Sequence, residues 1–192
     1  PAAAAVYKTQ LIEYLVKFDP VFKDNAYHGV PDIRVIIFLG VPVMAMVRLP
    51  TRQSDGKANL HQGAIGAGID IATGLTKYAV QGNDNVSHHP DTENSVIDVQ
   101  VPYWDEILGI ASSCYDLTGM GYQGVDIVLD YDKGPLMLEL NVRPGLNIQI
   151  ANRAGLLPRL NMVKRDMSVL TNAEQRIRYA KNYFSHSYSI GQ

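Results

Sequence analysis

Two β-rich runs, Ile33 to Leu39 and Val41 to Leu49, are parted by a single residue, Gly40. Strand-length runs dominated by Val, Ile and Leu suit positions covered on both faces, and one glycine between them leaves room only for a tight reversal. They predict a largely buried antiparallel hairpin, so the chain must build an antiparallel sheet around it. Pro42 weakens the start of the second strand, because it has no N–H to give to a ladder.

A second hairpin is predicted over Gly124 to Asn141, turning at Asp132-Lys133-Gly134. Strand alternation puts Asp126, Val128 and Asp130 on one face of its first strand. In the second strand, Leu136, Leu138 and Leu140 share one face, and Met137, Glu139 and Asn141 share the other. Between the hairpins, 51–74 changes to Gly, Asn, Ser, Asp and Gln and reads as a long mobile loop of functional type. A short strand over 77–80 and a second polar loop to about Val101 follow.

Pro102 to Thr118 has apolar residues near helical spacing, Asp105 and Glu106 in the first turn and Gly119 just past the end, so it predicts a helix. Segments 146–154 and 160–181 also read as helical, with the polar stretch 173–183 peripheral. Ala2 to Lys17 reads as a short helix passing into a strand that ends at Asp19-Pro20.

With 192 residues and 46% apolar content, there is enough for one core-forming domain or two small lobes. A formal charge of -2 gives no bulk drive toward nucleic acid or anionic membrane, though a local anion site stays open. No run of about 18 uncharged apolar residues occurs, so no membrane span is expected. The single Cys114 excludes an internal disulfide and a thiolate metal cage, which fits a reducing compartment. The chain opens at Pro1 without Met, basic leader or cleavage pattern, as a piece of a longer protein would.

The chemistry concentrates on Asp126, Glu139 and Asn141. Two carboxylates and an amide oxygen form a hard-oxygen set that suits magnesium and leaves positions open for phosphate oxygens. Glu139 lies inside a Leu-rich strand, where an unpaired carboxylate is costly. By contrast, His88-His89 ahead of Pro90 reads as solvated surface, and Cys114 as inert core.

Gly124-Val125-Asp126, then Glu139-Leu140-Asn141 with Pro144-Gly145 next, resembles the metal-binding end of ATP-grasp carboxylate-amine ligases. Asp32-Ile33-Arg34-Val35 and Asn59-Leu60-His61-Gln62-Gly63 are similar, in order and spacing, to the ribosomal-protein glutamate ligases and the alpha-L-glutamate ligase-related group. The resemblance covers about Leu11 to Gly155. It implies an α+β fold, an antiparallel sheet backed by helices, as the C-terminal lobe of an ATP-grasp fold over 1–168. Residues 169–192 would add a peripheral helix and tail.

The implied chemistry is ATP- and magnesium-dependent, with manganese as the alternative metal. A carboxylate attacks the γ-phosphate, and an amine displaces the resulting acyl phosphate. The resemblance assigns metal ligation to Asp126, Glu139 and Asn141. It puts Glu13 and Tyr14 on the adenine-facing strand, and Asp32 near the nucleotide. Arg34 and Arg48 fall to γ-phosphate and acyl-phosphate oxygens, Lys57 and Asn59 to phosphates, and Arg143 to a substrate carboxylate. Lys57 stands where relatives commonly carry Arg, which keeps the charge and loses the fork.

The expected partners are a small-molecule or peptide carboxylate and an amine, for which the resemblance suggests glutamate, in the cytoplasm, without nucleic acid; homo-oligomerisation is left open. The phosphate-clamping lobes of the family would precede Leu11, so this chain by itself is expected to bind ATP weakly. Two other readings are a non-catalytic nucleotide-binding or scaffolding module and an ATP-grasp protein of surface-polysaccharide assembly.

Overall fold

The computed structural model describes residues 14–17 and 19–185. Seven strands form one antiparallel sheet: β1 (Asp32–Phe38), β2 (Val41–Leu49), β3 (Ile65–Ile69), β4 (Thr76–Gln81), β5 (Asp84–Val86), β6 (Tyr122–Asp130) and β7 (Gly134–Asn141), in the order β5-β4-β3-β2-β1-β6-β7. Four helices back it: α1 (Trp104–Thr118), α2 (Ile148–Asn152), α3 (Leu156–Asp166) and α4 (Ala173–Tyr183). The class is α+β, as expected.

The β1–β2 hairpin turns through Leu39 and Gly40, both at positive φ, which matches the twist of the flanking strands. Its ladder shifts register after Ile36, so Val43 is an extra residue beside Pro42, and the irregularity accommodates the missing N–H. β1 pairs with β6 as well as β2, which brings the two hairpins together at the centre of the sheet.

Residues 51–74 are not one loop. They contain β3, whose five residues are all buried between β2 and β4. The glycines that suggested mobility serve close packing: a Cβ on Gly68 would lie 2.4 Å from the backbone oxygen of Ala151 in α2. At the loop's start, Thr51 and Ser54 bond each other reciprocally and are both buried.

α1 follows the predicted pattern. Trp104, Ile107, Leu108, Ala111 and Cys114 are buried, and Gly119 ends the helix in the left-handed region with its N–H on the Tyr115 carbonyl. Burial raises the Cys114 thiol, as suits a core residue.

The single helix expected over 160–181 is two. Asn172 accepts from the Gln175 N–H and starts α4 afresh. Tyr179, Ala180 and Phe184 join the core, so α4 packs on α1 and β2 despite its polar sequence. Arg176, also buried, forks onto Asp116 at 2.9–3.0 Å.

The β2–β3 ladder ends at Ala45, and helix side chains donate to β2 carbonyls at and beyond that end. Asn152 Nδ2 donates to the Ala45 oxygen at 2.9 Å and Arg159 Nη1 to the Val43 oxygen at 2.6 Å. These bonds fix α2 and α3 on the face of the sheet that carries Arg34, Arg48 and Asp126. The expected strand ending at Asp19 does not continue into the described part, where 14–17 has no regular structure; Glu13 lies outside the described residues.

Candidate functional site: an arginine–carboxylate cluster on the sheet

Direct pairing in the ladders sets one row of facing side chains. Met46, Arg34, Asp126 and Glu139 are opposite one another across β2, β1, β6 and β7, with Asn141 opposite Gly124. Arg48 is opposite Asp32 in the next row. β7 carries a bulge: Asp126 faces Glu139 whereas Ile127 faces Met137, so Leu138 is extra. Met137 is thereby moved to the face opposite Glu139 and Asn141, and Leu136 to the Asp126 face, correcting the simple alternation.

The three oxygen-bearing residues come together. Asn141 Nδ2 is 3.1 Å from Asp126 Oδ2 and 3.1 Å from Glu139 Oε1. Asp126 is also the hub of an arginine pair. Arg34 forks onto it, Nε to Oδ1 at 2.7 Å and Nη2 to Oδ2 at 2.6 Å. Arg48 Nη2 reaches the same Oδ2 at 2.8 Å, while its Nε and Nη2 hold Asp32 at 2.5 and 2.6 Å. The Asp126 side chain is 1% exposed and the arginines 11% and 14%. These bonds use Nε and Nη2 of each arginine, and leave each Nη1 without a partner among the described residues.

The two aspartates differ electrostatically. Burial, helped by the nearby Asp126 charge, raises Asp32 against the opposing Arg48 fork and the weaker pull of Arg34, and its carboxyl is pushed up to about 6. Burial also acts to raise Asp126, but hydrogen bonds and charge from two arginines outweigh it and hold this carboxyl below the usual range. A folded-state value above the unfolded one contributes stability below about pH 4, and that contribution is lost as pH rises through about 6. Between pH 7 and pH 5, the stability of the wild type relative to Asp32→Asn should therefore improve by about 1 kcal/mol. Urea unfolding of both at each pH measures it; a constant difference would mean that the fork keeps Asp32 ionised throughout.

The donor set fits a hard divalent cation. Like charges directly opposite across β6 and β7 repel, and around Glu139 and Asn141 every donor is oxygen or amide. Among the described residues no group of three or more His, Cys, Asp or Glu could hold a metal. Any metal here must therefore take the Asn141 oxygen and exogenous oxygens, as magnesium commonly does. The Asn141 amide, now donating to both carboxylates, would have to turn its oxygen toward the ion.

A small cavity of about 50 Å³ lies over the arginines, lined by Arg34, Arg48, Asn59, His61, Gly145 and Asn147 among others. Asn59 reaches it, with its Oδ1 accepting the His61 N–H. His61 and Asn147 were not singled out from sequence, although His61 stands in the Asn59–Gly63 run that was. Lys57 and Arg143 are exposed and do not line this cavity. Tyr14 is 46% exposed beside the β6–β7 turn, with Lys133 Nζ 3.6 Å from its ring centre, and it does not line the arginine cavity.

His88 is exposed, but His89 is fully buried: Nε2 donates to the Pro50 carbonyl at 2.9 Å, and Nδ1 accepts from the Asp91 N–H. The larger cavity of about 510 Å³ at the start of α1 shares no residue with the arginine cluster.

Residues 2–165 match the family profile described as sugar-transfer associated ATP-grasp. Among solved structures, the chain is similar to the ATP-grasp ligase PsnB complexed with minimal precursor, at 16% identity and a TM-score of 0.35. That match covers 79% of this chain and 35% of the other, so the chain spans about a third of that relative's length. Comparison with curated proteins gives no match. No helix among the described residues is long and apolar enough to cross a membrane. With 164 of its 192 residues inside the matched span (2–165), the chain belongs to the sugar-transfer associated ATP-grasp family.

Proposed function

We propose that this chain supplies the metal- and phosphate-binding lobe of an ATP- and magnesium-dependent carboxylate-amine ligase that works through an acyl phosphate. The observation carrying it is the convergence of Asp126, Glu139 and Asn141 beside two arginines that line a small cavity and whose bonds to the aspartates use only Nε and Nη2. Magnesium, when bound, would neutralise phosphate charge and align the transferred group. Asp126, Glu139 and Asn141 would hold it.

Arg34 and Arg48 would present Nη1 to the substrate carboxylate and then to acyl-phosphate oxygens, held in place by Asp126 and Asp32 so that little reorganisation is needed. In the first step the carboxylate O–P bond forms and the P–O bond to ADP breaks. In the second the amine N–C bond forms, phosphate leaves with its oxygen, and the ammonium proton passes to a nearby base. Glutamate is the amine suggested by resemblance. The family's description, sugar-transfer associated, fits in part a second reading, an ATP-grasp protein of surface-polysaccharide assembly.

Glu139→Gln tests the role. Glu139 is exposed, so the thermal midpoint should stay within about 1 °C, while manganese affinity in the presence of a non-hydrolysable ATP analogue should fall about tenfold or more. Water-proton relaxation measures it. Wild-type affinity in the variant would remove Glu139 from the metal site.

A further inference from the structure

A second cavity, of about 220 Å³, adjoins the arginine cavity and shares Leu60, His61 and Asn147 with it as common walls. Its other walls include Val80, Asn83 and Ile150. The sheet fixes the separation. Arg48 pairs with Gly66 and Gly66 with Val80, so all three share one face two strand spacings apart, about 10 Å from Arg48 to Val80. Gly66 makes the passage possible: a Cβ there would meet Leu60 Cδ2 at 2.9 Å, so Leu60 rests on bare backbone as a low divider.

The lining has a definite chemistry. Leu60, Val80 and Ile150 give an apolar wall, while His61, Asn83 and Asn147 give donors and acceptors. Among the described residues, no Lys, Arg, Asp or Glu lines it. The two arginines next door are already matched by Asp32 and Asp126. A ligand's first carboxylate can meet the arginines, but a second one would lie against walls that offer it no Lys or Arg, and would lose hydration with little to replace it. The volume is below the roughly 300–1,000 Å³ of drug-sized sites, so it suits one ring or one small side chain.

Building on the ligase reading above, we propose that this cavity is the acceptor pocket. It takes a monocarboxylate whose body is uncharged and rich in hydroxyl or amide groups, with the carboxylate at Arg34 and Arg48. A sugar acid and an N-acylated neutral amino acid share that chemistry.

The test is a titration of the full chain, with magnesium and a non-hydrolysable ATP analogue, followed in amide ¹H–¹⁵N spectra. The probes are D-glucuronate, N-acetyl-L-alanine, glutarate and acetate. At least one neutral-bodied probe should bind about tenfold more tightly than acetate, a difference of about 1.4 kcal/mol, and shift the amides of residues 60–62, 80–83 and 150. Glutarate should gain nothing over acetate. The tighter of the two neutral-bodied probes identifies the source.

Ile150 is 48% exposed, and Ile150→Trp should fill the pocket and reduce the best probe to the acetate level. Asn83→Ala, in an exposed turn, should weaken it as well. Equal binding of all four probes, preference for glutarate, or shifts mapping elsewhere would overturn the pocket while leaving the metal site standing. Absence of any carboxylate shift at Arg34 and Arg48 would instead strike the ligase reading itself.

Discussion

Replacing Asp126 with Asn should destabilise the fold by about 3–5 kcal/mol, the range seen when one partner of a buried ion pair is removed. Asp126 accepts from both arginines, and one of its oxygens carries three donors: Arg34 Nη2, Arg48 Nη2 and Asn141 Nδ2. An amide offers one acceptor in place of two and turns an N–H₂ toward the guanidinium groups, so Arg34 would lose its counter-charge and Arg48 would keep only its fork to Asp32. Guanidinium unfolding measures the loss. Glu139→Gln provides the contrast, because Glu139 faces solvent and its substitution should leave stability within about 0.5 kcal/mol of wild type. If the two variants were equally mild, the cluster would not be holding β1, β2 and β6 together.

Gly68→Ala should cost about 3 kcal/mol or more, and Gly66→Ala much less. Both glycines lie in β3 and both face the helices, but they meet different obstacles. At Gly68 the added carbon comes within 2.4 Å of the Ala151 backbone oxygen and 2.9 Å of Asn152 Cγ. Neither can retreat easily, because Asn152 is tied to the Ala45 carbonyl. Accommodating the methyl means lifting α2 from the sheet, at the upper end of overpacking penalties or beyond. At Gly66 the near atom is the end of the Leu60 side chain, which can change rotamer, and the loss of backbone freedom in the unfolded chain offsets part of the cost. Urea unfolding of the two variants measures the difference. Equal costs would show that α2 does not rest on Gly68.

These two sites mark what could and could not be read from sequence. The hairpins were legible because dense β-branched runs end at turn residues, and α1 because its apolar spacing, acidic first turn and terminal glycine agree. β3 was hidden: Gly66 and Gly68 have the composition of a loop, and the reason for glycine at 68 is a helix some 80 residues later. Glu139 and Asn141 could be placed together because two residues apart on a strand share a face. The Leu138 bulge, which decides on which side Met137 and Leu136 fall, has no local signal.

Least legible was the tie between Arg34 and Asp126, 92 residues apart. It depends on β1 lying beside β6, a neighbour relation that crosses the chain order. Sequence reasoning treated the arginines and the aspartate as separate groups, one for phosphate and one for metal. Their joining makes Asp126 serve both. It orients the arginines whether or not a metal is present, and a cation bound by Asp126 would compete for its oxygens with the guanidinium groups.

Manganese mapping tests the shared site most directly. Adding substoichiometric manganese and a non-hydrolysable ATP analogue to the ¹⁵N-labelled chain should broaden first the amides of Asp126, Glu139 and Asn141, then those of Arg34 and Arg48. Amides around Tyr14 and at the start of α1 should stay sharp. Glu139→Gln should shift the broadening to higher metal concentration without moving its centre. Broadening centred elsewhere, or spread evenly over the exposed carboxylates, would contradict the assignment of a metal to this face of the sheet.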